Sequence, residues 1–157
     1  MVIIGIDPGI TGARAVIDVD ACVVVEDMPI MTKVSGKGNQ INSNELYAKL
    51  HNLVTAFDVD SVYVERVNAM PGQGVSSVFS FGKSAGIIEG VLASLGVKVF
   101  FPTPQKWKKN AGLIGKEKDA ARTLAITQFP EIADRLTRKK DGGRADAILI
   151  ARYGQDD

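Results

Sequence analysis

A run of apolar residues that ends on a carboxylate constrains the fold of this chain more than any other feature. The chain opens with MVIIGIDPGITG, in which the apolar, largely β-branched run Val2–Ile6 leads directly into Asp7. Because the apolar residues are consecutive rather than alternating, the run predicts a strand covered on both faces. Asp7 would then lie where a buried strand emerges, and its partly desolvated carboxylate needs a cation or hydrogen-bond donors. The alternative is a turn-forming Asp before Pro-Gly.

Length and charge limit what the chain can be. Its 157 residues, 45% of them hydrophobic, predict one domain over residues 1–157 and leave no room for a second of similar size. Residues 1–97 carry 6 Lys and Arg against 10 Asp and Glu, whereas residues 98–157 carry 13 against 8. This split is expected if one part of the protein holds metal and the other holds a polyanion, although solvated surface charge also explains such splits.

The cysteine content and the N-terminus bear on the compartment. Cys22 is the only cysteine, so an intrachain disulfide and a metal site built from thiolates alone are excluded. The N-terminus lacks a basic leader region, and its apolar stretch is too short to span a bilayer. These features predict a cytoplasmic protein without a membrane segment.

The periodicity of the chain predicts an α/β fold. Gly9 and Gly12 mark a tight turn after the first strand, and two further strands complete an antiparallel three-strand meander. Residues 29–42 have no period and predict a loop. Helices that cross between the later strands require parallel neighbours, which gives a mixed five-stranded sheet with helices on both faces. The predicted elements after the first strand are strands Ala13–Val19 and Cys22–Met28, a helix capped by Asn42, strand Ser61–Val64, a long glycine-bearing helix, strand Val97–Phe101, and helices Ala120–Gln128 and Arg144–Tyr153.

Two more carboxylates are predicted to lie near Asp7. The strand Ser61–Val64 leads straight into Glu65, and pairing it in parallel with the first strand brings Asp7 and Glu65 to one sheet edge. Asp146 stands near the start of the last helix, where capping alone could also explain it. Three hard oxygen ligands without Cys or His suit Mg²⁺ or Mn²⁺ rather than zinc.

The long helix carries three glycines, Gly82, Gly86 and Gly90, spaced by four. Each glycine costs roughly 1 kcal/mol in a helix interior. Three in one row therefore indicate that another backbone approaches closely, either the protein's own sheet or the same helix of a second copy in a symmetric dimer.

Five segments stand in a recognisable order along nearly the whole chain: IGIDPGITG, VYVERV, PTPQKWKKNAGL, GKEKDAA and RADAILIA. Together they resemble the RuvC-type Holliday junction resolvases, above all the phage-encoded branch. The resemblance implies a ribonuclease H-like fold, a homodimer, and hydrolysis of phosphodiesters at four-way DNA junctions with two Mg²⁺ per site, for which Mn²⁺ would substitute. It also implies the cytoplasm of a bacterial cell or a phage-infected host.

The resemblance also implies roles for individual residues. Asp7 and Glu65 match the first two catalytic carboxylates, Asp146 matches the last, and Lys118 matches a lysine that could place a cation near the scissile phosphate. The family carries an acidic residue or histidine one turn before the last carboxylate, where this chain has Gly142-Gly143. A glycine pair can adopt backbone angles that are closed to other residues, so we expect Asp141 to fold back towards Asp7 and Asp146 as the fourth metal ligand. The alternative is that Asp141 is a solvated helix cap.

Basic and apolar residues around these positions predict contacts to branched DNA. The run from Lys106 to Lys109 combines positive charge with one aromatic ring, although Trp107 could instead be a core anchor. Met70 is the one large apolar residue that the segment RVNAMPGQG could insert at a branch point. The predicted DNA-binding residues are Met70, Lys106, Trp107, Lys108, Lys109, Lys118, Arg138, Lys139, Lys140 and Arg144.

Other functions account for the sequence less well. The strand-turn start GIDPGITG also resembles the phosphate-binding opening of actin and the sugar kinases, but those proteins close two such domains around ATP. The glycines at positions 5, 9 and 12 have the wrong spacing for a dinucleotide-binding turn, so no nucleotide cofactor is expected. A junction-binding protein of the same fold with weak or no activity stays open as the alternative.

Overall fold

A mixed five-stranded sheet forms the centre of the fold. The structure is a computed structural model that describes residues 1–155. The sheet has the order β3-β2-β1-β6-β7, and β4 and β5 form a separate two-stranded hairpin. The strands are β1 (Val2–Asp7), β2 (Ala13–Asp18), β3 (Ala21–Asp27), β4 (Ile30–Thr32), β5 (Asn39–Ile41), β6 (Ser61–Val64) and β7 (Val99–Phe100).

The strand register places the ends of β1, β3 and β6 and the start of β2 at one edge. β1 pairs antiparallel with β2, where Asp7 lies opposite Ala13, and Ala13 in turn lies opposite Asp27 of β3. β1 pairs in parallel with β6, where Ile6 lies opposite Val64. The predicted meander, the parallel strands and the mixed sheet are therefore confirmed.

Helices cover both faces of this sheet, as predicted, and the described residues 1–155 contain five α-helices. Helices α1 and α2 pack on one face and bury Leu46, Leu50, Ile88 and Leu92, while the other three helices pack on the opposite face. The Asn42 side chain accepts a hydrogen bond of 3.1 Å from the Glu45 backbone N–H and so caps α1. The helices are α1 (Ser43–Phe57), α2 (Val75–Leu95), α3 (Pro104–Asn110), α4 (Ala120–Gln128) and α5 (Gly142–Tyr153).

Helix α5 lies directly on the backbone of β1, and Gly5 permits this approach. A Cβ atom at Gly5 would be 2.6 Å from the Ala151 backbone N and closer still to the Ala147 carbonyl oxygen. No side chain fits at this point of the strand. The close contact fixes the start of α5, and with it Asp146, relative to the end of β1.

Two segments differ from the prediction. Residues 29–42 contain the hairpin of β4 and β5, whose strands have three residues each and are too short and too exposed to show an alternating pattern. The basic stretch after β7 contains the short helix α3, which begins at Pro104 and is capped by Thr103. Short 3₁₀ segments at Pro130–Arg135 and Lys139–Asp141 precede α5.

By length and composition alone, α2 is apolar enough to cross a membrane, and it is the only such helix in the described part of the chain. Its Ser84, Ile88 and Leu92 are nevertheless buried against the rest of the protein. This stripe at intervals of four residues is typical of a helix that packs on a sheet.

Candidate active site

Three carboxylates lie near the sheet edge where β1 and β6 end, close enough for their charges to interact. Asp7 is the last residue of β1, and Glu65 directly follows β6. The Glu65 backbone N–H donates a hydrogen bond of 3.1 Å to the Ile6 carbonyl oxygen, which holds the two strand ends side by side. Asp146 reaches this edge from the N-terminal part of α5.

The three carboxylates repel one another. Burial raises the pKa of Asp7 well above its ordinary value, and the charges of Asp146 and Glu65 raise it further. Burial, followed by the charge of Glu65, raises the pKa of Asp146 to about 6. The Lys108 ammonium acts in the opposite direction on both aspartates. Negative charge therefore exceeds positive charge at this edge, which favours the binding of a cation.

The donor set fits a hard divalent cation. All three side chains offer carboxylate oxygens, which are the ligands that Mg²⁺ and Mn²⁺ prefer. Within residues 1–155, no group of three or more His, Cys, Asp or Glu side chains is arranged closely enough to hold a metal ion. Asp7, Glu65 and Asp146 thus supply the ligand chemistry and the excess charge.

A cleft of about 700 Å³ opens beside Asp7 and Asp146. Four cationic and four acidic side chains line it, so the cleft offers both positive groups for phosphates and carboxylates for cations. Three of the cationic side chains, Lys118, Lys139 and Lys140, were predicted from the sequence as DNA contacts. The residues that line the cleft are Asp7, Thr11, Glu117, Lys118, Asp119, Arg122, Lys139, Lys140, Gly142, Gly143 and Asp146.

Comparison with known proteins agrees with this arrangement. The family model for the crossover junction endodeoxyribonuclease RuvC matches residues 3–152. The chain belongs to the RuvC family. Over 92 residues, or 58% of this chain, it is 39% identical to the chloroplastic Holliday junction resolvase MOC1 of Chlamydomonas reinhardtii. The match spans only 10% of that relative's length.

Solved structures share the fold of this RuvC-family chain. Thermus thermophilus RuvC in complex with Holliday junction substrate matches with a TM-score of 0.70 and 20% identity over 96% of this chain and 90% of that chain. The fowlpox virus Holliday junction resolvase matches with a TM-score of 0.54 and 17% identity over 95% and 94% of the two chains. At these identities the likeness shows the fold alone.

Trp107 lies inside this RuvC-family chain rather than on its surface. The side chain is fully buried, and its Nε1–H donates a hydrogen bond of 2.7 Å to Glu65 Oε2. The ring is therefore unavailable to stack on DNA, which corrects the predicted DNA contact in favour of the core-anchor alternative. Lys108 lies over the ring at 5.5 Å from its centroid, while Lys109 is exposed and Lys106 half-buried.

The structure pairs Asp141, the predicted fourth ligand, with Arg138, and its role as a ligand stays a prediction. Asp141 is 2% exposed and does not line the cleft. Its carboxylate accepts hydrogen bonds from Arg138 Nη2, at 2.7 Å, and from the Arg138 backbone N–H, at 2.9 Å. The Arg138 guanidinium lowers the pKa of Asp141 to about 2. Asp141 therefore ties together the turn before α5 through Arg138.

The Arg144 side chain also binds other residues of the protein. Its guanidinium donates two hydrogen bonds to the Asp27 carboxylate, at 2.7 and 2.9 Å, and one of 2.9 Å to the Arg135 carbonyl oxygen. The side chain is only 14% exposed. Arg144 thus fastens the start of α5 to the end of β3, which corrects its predicted role as a DNA contact. Arg138 is half exposed beside Asp141, and its DNA contact stays a prediction.

The space one turn before Asp146 is closed in this RuvC-family chain. A Cβ atom at Gly143 would lie 2.6 Å from the Thr11 carbonyl oxygen and 3.3 Å from Asp7 Oδ2. Gly143 thereby lets α5 approach the turn that follows Asp7. At Gly142 a Cβ atom would meet nothing within 4 Å. The two glycines that looked alike in the sequence therefore differ in their surroundings.

Four residues that line the cleft were not predicted from the sequence: Thr11, Glu117, Asp119 and Arg122. Arg122 and Asp119, at the start of α4, form a bidentate pair with both N–O distances at 2.9 Å. Their spacing of three on a helix is a recognisable ion-pair signal, but it does not reveal that they face the cleft. Met70, the predicted wedge residue, is 63% exposed, and its insertion at a branch point stays a prediction.

Proposed function

We propose that this RuvC-family chain is a divalent-metal-dependent, structure-selective endodeoxyribonuclease that resolves four-way DNA junctions, and other branched DNA, by paired phosphodiester hydrolysis. The observation that carries the proposal is that Asp7 and Asp146 line a cleft with cationic side chains while the charge of Glu65 acts on both aspartates. Its relative MOC1 and the fowlpox virus protein are Holliday junction resolvases, and Thermus thermophilus RuvC forms a complex with a Holliday junction substrate.

In this proposal the carboxylates bind metal and the lysines bind DNA. Two Mg²⁺ ions, or Mn²⁺ in their place, would activate a water and neutralise the leaving oxygen of the phosphodiester. Asp7, Glu65 and Asp146 would hold these ions. Lys118 lines the cleft and lies close enough to lower the pKa of Asp146, so its ammonium is suited to neutralise the charge of a phosphate there. Lys139 and Lys140 would bind the DNA backbone without reading its sequence.

We also propose that the protein acts as a homodimer whose two subunits contact each other through α2. A Cβ atom at Gly82, Gly86 or Gly90 would meet no other atom of residues 1–155 within 4 Å, so these glycines are not needed for packing on the protein's own sheet. Phe79 on the same helix is 73% exposed. An open glycine row beside exposed apolar side chains suits a second copy of α2, and two copies would supply the two sites that paired cuts need.

Branched DNA and a second copy of the chain are thus the proposed partners, without a nucleotide cofactor or a membrane. The proposed unit is one domain over residues 1–157. The proposed compartment is the cytoplasm of a bacterial cell or a phage-infected host.

Cleavage assays on matched substrates test the proposed activity. A synthetic four-way junction, a flap and a linear duplex of the same sequence are compared in Mg²⁺, in Mn²⁺ and in EDTA. We expect paired nicks in the junction that need the metal, with the linear duplex left intact. Junction binding without nicking in either metal would favour the inactive junction-binding alternative.

Sedimentation velocity at micromolar concentration tests the dimer. The wild-type chain is expected to sediment as a dimer, and Gly86→Arg, which places a long charged side chain on the glycine row, as a monomer that makes unpaired nicks. A wild-type monomer that still makes paired cuts would overturn the dimer proposal.

A further inference from the structure

The contact between Trp107 and Glu65 joins a buried ring to a residue of the carboxylate cluster. Trp107 is fully buried in the core that includes α4 and α5. The one polar atom of its side chain, Nε1, nevertheless donates a hydrogen bond of 2.7 Å to Glu65 Oε2. A buried indole N–H needs an acceptor, because leaving it unpaired costs free energy. If Glu65 turned away, this donor would lose its partner.

Neighbouring hydrogen bonds hold both ends of this contact in place. The Arg66 backbone N–H, next to Glu65, donates a hydrogen bond of 2.8 Å to the Pro102 carbonyl oxygen. The Thr103 hydroxyl then accepts from the Lys106 backbone N–H at 3.2 Å and caps α3. The start of α3, and therefore the indole ring, is thus fastened to the strand end that carries Glu65.

We propose that Trp107 is a positioning residue that orients the Glu65 carboxylate for metal binding, an inference that rests on the proposed function. A glutamate side chain has three rotatable bonds, and one fixed donor removes much of that freedom. A carboxylate has about four acceptor sites on its two oxygens, so one hydrogen bond to Oε2 leaves capacity for a cation. Donors that hold a ligand in this way commonly change metal affinity by 10–100-fold when they are removed.

The single tryptophan of the chain makes a clean test possible. Replacement of Trp107 by benzothienylalanine exchanges the N–H for sulfur and keeps the shape of the bicyclic ring. Replacement by 4-fluorotryptophan keeps the N–H and is the matched control. Trp107→Phe, which also lacks the donor, is a second variant made without unnatural residues.

Mn²⁺ binding to the full-length protein is measured by calorimetry, and junction cleavage is measured across a Mn²⁺ titration. We expect the benzothienyl protein and Trp107→Phe to bind Mn²⁺ on the order of tenfold more weakly, with cleavage at saturating Mn²⁺ close to the wild-type rate. The fluorotryptophan protein should match the wild type. A merely structural role would lower the unfolding midpoint without moving the Mn²⁺ dependence.

The outcomes separate this inference from the proposed function. If the wild type binds Mn²⁺ and the benzothienyl protein binds it equally well, Trp107 does not position Glu65 and only this inference fails. If the wild type binds no Mn²⁺, the metal-dependent function fails, and the inference fails with it.

Discussion

The adjacent glycines at the start of α5 offer a sharp test of how the fold assembles its site. A Cβ atom at Gly143 would lie 2.6 Å from the Thr11 carbonyl oxygen, whereas ordinary contact begins at 3.4 Å. In Gly143→Ala, α5 and the turn after Asp7 must therefore separate by about 0.8 Å. Overpacking of this kind costs about 1–3 kcal/mol, which is partly offset by up to about 1 kcal/mol gained on replacing a helical glycine.

We therefore expect Gly143→Ala to lower the free energy of unfolding by about 1–2 kcal/mol and junction cleavage by tenfold or more, since misplacing catalytic groups by about 1 Å can cost on the order of a hundredfold. Gly142→Ala adds the same methyl group to the same helix in open space. It should unfold at the wild-type urea midpoint or above it, and cleave faster than Gly143→Ala. Equal unfolding free energies and equal rates for the two variants would refute this account of the contact.

Two further substitutions test the packing and the ion pairs around the site. Asp141→Asn should lower the unfolding free energy by about 1–2 kcal/mol at pH 7 and leave the Mg²⁺ dependence of cleavage unchanged; a shifted Mg²⁺ dependence would instead identify Asp141 as a ligand. Because the pKa of Asp141 is lowered to about 2, the stability it contributes is present above pH 4 and lost as the pH falls towards 2, so urea midpoints of wild type and variant should converge there. Gly5→Ala should cost about 3 kcal/mol or more, because α5 must leave β1; a wild-type urea midpoint would contradict that close contact.

The sheet edge was predictable because its signal is local. Consecutive apolar residues mark strands covered on both faces, and in β1 and β6 each run stops at a carboxylate. Parallel pairing then brings Asp7 and Glu65 together without knowledge of any side-chain contact. The order of strands and helices supplied that pairing and pointed to Asp146 near the start of the last helix, and the family resemblance gave Asp146 its role.

The roles of the basic residues were not predictable in the same way. Arg144 and Asp27 are 117 residues apart in the sequence, and only the packing of α5 against β3 makes them an ion pair. The carboxylate of Asp141 has the chemistry of a metal ligand, but it forms an ion pair with Arg138, three residues earlier. A sequence shows which side chains carry charge, whereas partner and exposure depend on the tertiary fold. Trp107 shows the same limit, since a ring in a lysine-rich run lies in the core.

The most direct test of the central claim removes one site carboxylate and follows cleavage and binding on the same preparation. Asp7→Asn and Glu65→Gln are assayed for cutting of a synthetic four-way junction in Mg²⁺ and, by gel shift, for binding it, with Asp141→Asn as the control. We predict that both site variants lose cleavage and bind the junction as tightly as the wild type or more tightly, because each removes negative charge next to the phosphate. Cleavage at the wild-type rate, or loss of binding in proportion to loss of cutting, would contradict the claim that these carboxylates form the catalytic metal site.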